Sequence, residues 1–438
     1  MLRSFRFANH RSFRDEQELT LLPVYDRAQR RAVSIAAVYG ANASGKSNVL
    51  DAFRFMVDAV LRSYRDWEPG GSIPRRPFRL AATSVEEPSW FAVDLVADDV
   101  RYEYGFGLDD ERVIEEWLHA YPQRKRRVLF TRIGDDITFG PSVQGPKAAL
   151  PELTRPGALL LTVAAHTGVE SLIAVYEWFR ETVRVVDLSY GAPRLPSADD
   201  YRRTAADHPA RIHRLINLMQ AADLGISGVQ LPKSPETPAS NSAEAVDKTP
   251  ILRLSPGSGK TRVFYELLNA SEQLQKYGDY LREDQIQLVH GKTAFPLADE
   301  SAGTRGWLAL LWTVLPVLED GGVLVVDELD SRLHPLLTAR LLRLFHSTDT
   351  NAHEAQLVFA AHDTSLLGTS LSHETLLRDE VWFVEKDADG ASKLFPLSQF
   401  KPRHGENPER RYLGGSYGAV PFLDADDFDG APGGPVPA

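Results

Sequence analysis

Apolar and polar positions alternate in two different rhythms along this chain. Residues 32–39, with Val33, Ile35 and Val38, form an apolar run without polar alternation, which reads as a strand buried on both faces. After Gly40–Ser47 the rhythm changes to one of 3.6 residues, and Val49, Leu50, Phe53, Met56, Val57 and Val60 make the apolar face of a helix. Residues 2–8 and 17–22 read as two strands around a turn that holds Asn9 to Arg14. Four further runs, 90–96, 100–107, 115–121 and 127–132, are punctuated by Asp98-Asp99 and Asp109-Asp110 and predict an antiparallel meander.

Beyond residue 151 the pattern turns helical, through Leu172, Val175, Tyr176, Phe179 and Val183 and again through Ile212, Leu215, Ile216 and Met219. No a/d heptad is sustained, so a compact helical insertion is expected and a long coiled coil is not. Residues 232–249 lack large apolar anchors and are expected to be disordered. Strands are expected at 251–254 and 263–265, around a turn at 256–260. A helix with Leu308, Leu311, Trp312 and Leu315 on its inner face should kink or end at Pro316. Strands at 323–326, 357–361, 381–385 and 393–397 complete the pattern. The resulting division is 1–150, a helical insertion over 151–250, 251–423, and an acidic, disordered tail over 424–438.

Composition narrows the classes. The 438 residues, 43% hydrophobic and 25% charged, have the balance of a globular protein with one large or several ordinary domains. A net charge of −11 argues against a generally basic nucleic-acid coat. The one dense basic cluster, Arg124-Lys125-Arg126-Arg127, reads as a solvated hairpin tip or as a contact for nucleic acid or an acidic partner. There are no cysteines, which excludes disulfides and thiolate metal sites and fits a reducing cytoplasm. The first seven residues lack a signal-peptide core. The longest apolar stretch, 308–326, is broken by Pro316, Glu319, Asp320 and two glycines, so neither a transmembrane span nor a membrane partner is expected.

Gly40-Ala41-Asn42-Ala43-Ser44-Gly45-Lys46-Ser47 fits G-x-x-x-x-G-K-[ST], between a strand and a helix as the mechanism of that motif requires. Gly40 and Gly45 let the backbone close around a phosphate chain, with Asn42, Ser44 and Asn48 counted in the cradle. Lys46 reaches the β- and γ-phosphates, and the Ser47 hydroxyl is a ligand for Mg²⁺. The apolar strand ending in Asp327-Glu328 supplies a candidate magnesium carboxylate, Asp327, and a candidate general base, Glu328; a solvated strand end is the alternative. His362, at the end of the strand over 357–361, is a candidate γ-phosphate contact. Ser301, Gly303 and Thr304 precede a helix, as an anion site or an ordinary cap. Arg11 and Ser12 are candidate phosphate contacts or solvated turn residues. Gly257-Ser258-Gly259-Lys260-Thr261 looks like a second phosphate loop, but Leu254 stands where its first glycine belongs, and it reads as a hairpin turn.

Taken in order, Gly40–Ser47, Ser301–Thr304, Val323–Glu328, Asp330 and His362 resemble the ABC-type ATPases of the SMC and RecF kind. Within these the chain is similar to the bacterial AAA-type group that includes RloA and the AriA component of the PARIS anti-phage system. Residues 7–13, 327–335 and 412–421 support the likeness, which covers roughly residues 1–421. It implies an α/β fold, an ABC-type P-loop ATPase sheet with an antiparallel β subdomain and a helical insertion. It further implies hydrolysis of ATP with Mg²⁺ at sites shared between two subunits of a homodimer or higher homo-oligomer. Lys46, Ser47, Asp327, Glu328 and His362 would act from one subunit, Ser301, Gly303 and Thr304 from the other, with Asp330 in the loop that crosses the interface. The implied role is that of a sensor or scaffold in defence, controlling a separately encoded effector nuclease. A DNA-repair or DNA-end ATPase and a nucleotide-gated scaffold with little turnover are the alternatives. The signature, Ser-Ala-Gly-Thr, lacks the Leu-Ser-Gly-Gly-Gln form of transporters, and no particular glutamine is assigned to the Q-loop.

Overall fold

The computed structural model describes residues 1–25, 30–187, 195–222, 225–231, 286–331, 333–368, 375–402 and 406–420. From the N-terminus, β1 (Leu2–Ala8) and β2 (Gln17–Thr20) pair antiparallel as the expected hairpin, and β3 (Ile35–Tyr39) leads into α1 (Lys46–Asp66). A short helix, α2 (Ala82–Glu86), precedes the meander of β4 (Ser89–Ala97), β5 (Val100–Leu108), β6 (Val113–Ala120), β7 (Arg127–Ile133) and β8 (Asp136–Phe139). Because β1 also pairs with β4, these strands form one antiparallel sheet in the order β2-β1-β4-β5-β6-β7-β8. The cations 124–127 lie exposed at the β6–β7 tip.

Next come α3 (Leu150–Leu153), α4 (Leu160–His166), α5 (Glu170–Glu177) and β9 (Val183–Asp187). Here the helical expectation needs correcting. Val183 does not continue a helix; a π turn over Trp178–Thr182 ends it, and Val183, Val185 and Val186 pair as a parallel strand. A run rich in β-branched residues fits a pleated surface better than a helix.

The chain divides into two units, Met1–Pro193 with Thr313–Ala438, and Arg194–Trp312. The second holds α6 (Ala198–Asp207), α7 (Pro209–Ala221) and a three-stranded sheet of β10 (Ile226–Gln230), β11 (Gln287–His290) and β12 (Thr293–Pro296). The loop expected at 232–249, the strands and turn at 251–265 and the tail at 424–438 lie outside the described residues.

The helix Ala302–Asp320 carries Pro316 inside it and does not end there. Val314, Leu315, Val317 and Leu318 are all buried around the proline. At about 1.5–3 kcal/mol for each buried side chain, their packing outweighs the roughly 3 kcal/mol cost of an internal proline.

In the first unit, β13 (Val323–Asp327), β14 (Gln356–Ala360), β15 (Val381–Lys386) and β16 (Ser392–Pro396) join β3 and β9 in a second sheet, ordered β16-β15-β3-β14-β13-β9. All its pairings are parallel except β15 with β16. The apolar face of α1 expected from the 3.6 rhythm is buried. Two glutamines stitch the sheets together. Gln356 accepts from the Leu2 N–H at 2.6 Å and donates to the Leu2 carbonyl at 2.8 Å, and Gln17 accepts from the Leu394 N–H at 2.8 Å. The protein is thus a mixed α/β fold of parallel and antiparallel sheets. Among the described residues, no helix is long and apolar enough to cross a membrane.

Candidate functional site

Register alone brings three sequence motifs to one edge. Val38 of β3 lies opposite Ala360 of β14, and Phe359 lies opposite Val326 of β13. The carboxyl ends of these parallel strands are therefore level, and the segments that follow them, Gly40, His362 and Asp327-Glu328, emerge side by side.

The loop after β3 folds tightly. Gly45 has φ +118°, and a Cβ there would stand 2.6 Å from Ser392 Oγ and 2.8 Å from Ser12 Oγ. At Gly40 a Cβ would stand 2.4 Å from the Val384 carbonyl oxygen. Both glycines are thus required by the close approach of the β15–β16 hairpin as well as by the curl of the loop. Asn42 is exposed at the crest, whereas Ser44 is buried and its Oγ has no partner. Lys46, only 5% exposed, donates from Nζ to the carbonyls of Gly40 at 2.9 Å and Ala41 at 3.1 Å. Burial lowers its pKa, against the pull of Asp327, Asp330 and Glu328. One residue on, Ser47 Oγ donates to Asp327 Oδ1 at 3.2 Å. Asn48 Nδ2 donates to Ser12 Oγ at 2.8 Å.

Glu328 turns the chain with φ +54°. Asp330 Oδ2 then accepts the backbone N–H groups of His362, at 2.7 Å, and of Asp363, while Asp330 Oδ1 is buried without a partner. This carboxylate ties the turn after β13 to the segment after β14, where the His362 side chain is exposed. Tyr39, the last residue of β3, donates its hydroxyl to the Asp363 carbonyl at 3.2 Å. Burial raises its pKa well above the ordinary tyrosine value.

Arg11 is committed to a partner. Its guanidinium makes a two-pronged contact with Asp51 on α1, which also receives His10 Nε2 at 2.8 Å and faces Arg76 at 3.6 Å. Burial pushes the Asp51 carboxyl up, but the hydrogen bonds from His10 and Arg11 outweigh it and hold the carboxyl below its usual range. Arg11, Asp51, Ser47, Asn48, Asp327 and Glu328 all line one cleft of about 470 Å³. In the second unit Ser301 caps the helix Ala302–Asp320: its Oγ accepts the Thr304 N–H at 3.0 Å and lies 2.8 Å from Thr304 Oγ1, with Gly303 exposed in the first turn.

Sequence reasoning missed Asp51, Tyr39, Asp363 and Ser392. Asp51 lies one helical turn after Ser47, off the apolar face, which is a usable signal. Ser392 is 348 residues from the loop it touches and carries no local signal.

No curated protein matches the chain. A family model does, over residues 35–368, from the first residue of β3 to just past His362. With about three quarters of its length matched, the chain belongs to AAA_21, described as "AAA domain, putative AbiEii toxin, Type IV TA system", and with it to the P-loop ATPases.

Proposed function

We propose that the chain binds and hydrolyses ATP. The observation that carries this reading is the pairing of Ser47 with Asp327 across two strand ends, beside a curled loop whose lysine is buried. Two hard oxygens at that spacing suit Mg²⁺, which Ser47 and Asp327 would hold and which would neutralise charge on the β- and γ-phosphates. Lys46 exchanges its two carbonyl partners for phosphate oxygens. Glu328 takes a proton from the attacking water. The new bond joins that water's oxygen to the γ-phosphorus, and the bond from the γ-phosphorus to the bridging oxygen breaks, giving ADP and phosphate. His362, presented on the same edge, contacts the γ-phosphate. Ser301, Gly303 and Thr304 complete the site of a second copy, with Asp330 in the loop between them. ATP closes this dimer and hydrolysis opens it. The cycle serves a sensor or scaffold that governs a separate effector nuclease in anti-phage defence.

The test is sizing of wild type and Glu328→Gln with ATP and Mg²⁺, with phosphate release followed in the same samples. We expect wild type to release phosphate, and Glu328→Gln to lose turnover while gaining an ATP-dependent larger species. If neither protein changes size and neither releases phosphate, the shared-site ATPase is refuted.

A further inference from the structure

We propose that Ser392 and Ser12 form a hydroxyl relay that presets the loop backbone for phosphate, which makes both of them positioning residues. The proposal rests on the nucleotide-binding reading above and adds to it a part of the molecule that lies outside the residues matched to the family.

Ser392 opens β16 and is 1% exposed. Its Oγ lies 2.5 Å from the Ser44 carbonyl oxygen and 2.8 Å from Ser12 Oγ, and its N–H donates to the Ser12 carbonyl at 2.7 Å. Ser12 Oγ is in turn 2.8 Å from Asn48 Nδ2. A carbonyl only accepts, so the Ser392 hydroxyl is the donor to Ser44. Ser392 Oγ also donates toward Ser12 Oγ, so its one proton is shared between two acceptors, and Ser12 Oγ accepts from the Asn48 amide as well. The relay links Asn48, Ser12, Ser392 and Ser44 in one connected set, with Ser392 as the donor that joins the Ser44 carbonyl to Ser12.

Its consequence lies in the peptide between Ser44 and Gly45. A phosphate-binding loop works by pointing N–H groups inward, and a carbonyl turned inward repels the anion. In a planar trans peptide the C=O and the next N–H point in opposite directions. Holding the Ser44 carbonyl on Ser392 therefore turns the Gly45 N–H the other way, away from β16. The same contact explains Gly45, since any Cβ there would collide with both relay hydroxyls. Loop, N-terminal turn and C-terminal hairpin are thus coupled through two hydroxyls, and the loop need not be reordered when a nucleotide arrives.

The experiment measures the ATP and ADP affinities of the full chain with Mg²⁺ for wild type, Ser392→Ala, Ser12→Ala, the double variant, Ser392→Thr and Lys46→Ala, with nucleotide-free melting of each. Each single alanine should weaken binding roughly fivefold to tenfold, the loss of one hydrogen bond in a connected set. The double variant should be no weaker than about the worse single, because one break opens the relay. Ser392→Thr, which restores the hydroxyl, should recover most of the affinity. Alanine variants that melt lower yet bind as tightly as wild type overturn the relay, as do losses that multiply in the double variant. If Ser392→Ala does not fold, Ser12→Ala decides by the same criterion. If wild type binds and Lys46→Ala does not, but the serine variants match wild type, the relay alone falls. Absence of binding in wild type overturns the nucleotide reading and the relay with it.

Discussion

Glu116 should be the most sensitive polar residue of the antiparallel sheet. It lies on β6, fully buried, and its two oxygens serve three donors: the Leu160 N–H at 2.6 Å, the Leu161 N–H at 3.0 Å and the Tyr104 hydroxyl at 3.1 Å. The two amides are among those that open α4 and have no partner inside the helix. Arg132, 1% exposed, lies 3.7 Å away and also donates to the carbonyls of Gly134, Arg155, Pro156 and Ala158. Glu116→Ala therefore strips three donors and leaves a buried guanidinium without its carboxylate, a loss of about 3–5 kcal/mol. Glu116→Gln keeps one carbonyl oxygen but turns an amide toward at least one donor, and should cost about 1–3 kcal/mol. Tyr104→Phe should cost about 1 kcal/mol in wild type and almost nothing in the Glu116→Ala background, since its acceptor is already gone. Hydrogen exchange resolved to the peptide holding Leu160 and Leu161 is the assay. A loss of about 3 kcal/mol raises local opening by roughly two orders of magnitude, and those amides should exchange faster by that factor. Wild-type protection at both amides in Glu116→Ala would refute the reasoning.

Two further outcomes follow from single positions. Gly45→Ala combines a left-handed backbone with a Cβ 2.6 Å from Ser392 Oγ; a strain of about 1–3 kcal/mol should cut nucleotide affinity by roughly fivefold to a hundredfold, and wild-type affinity in a titration would contradict it. Burial lowers the pKa of His10, and its Nδ1 is buried without a partner, so the ring is held neutral with Nε2–H on Asp51. The unfolded chain then binds more protons below the ordinary histidine value of 6.5, so stability should fall as pH drops below 6.5. Urea midpoints between pH 5 and 7 should show that slope reduced in His10→Gln, and equal slopes would exclude His10 as its source.

Local rhythm made part of this molecule legible. The strand, loop and helix from β3 to α1, the meander and the strand ending in Asp327 were readable because buried strands and amphipathic helices write their periods within a dozen residues. Val183 shows the limit: it fits a helical face and a β-branched strand equally well, and its pairing with Val323 decided between them. Pro316 shows another, because its effect depended on how deeply its neighbours pack. The hairpin over β15 and β16 was legible as two strands, but its place beside β3 was not, since sheet order is written in no single segment. Arg11 was legible as a charge near the site, whereas its commitment to Asp51 depended on a turn with φ +51° folding back onto α1.

The same limit bears on what makes the loop work. Residues 35–368 contain the phosphate loop, Asp327, Glu328 and His362. Apart from Ser44 Oγ, the atoms pressed closest against its two glycines come from elsewhere: the Val384 carbonyl over Gly40, and the hydroxyls of Ser392 and Ser12 at Gly45. A glycine in this motif is usually explained by the ligand it admits. Here the closest neighbours of both glycines are the chain's own β15–β16 hairpin, the N-terminal turn and Ser44, so the motif records a fit between distant segments before any ligand binds. Changes in the hairpin and the N-terminal turn should therefore reach nucleotide affinity as directly as changes within the loop, although neither segment carries a residue of the motif.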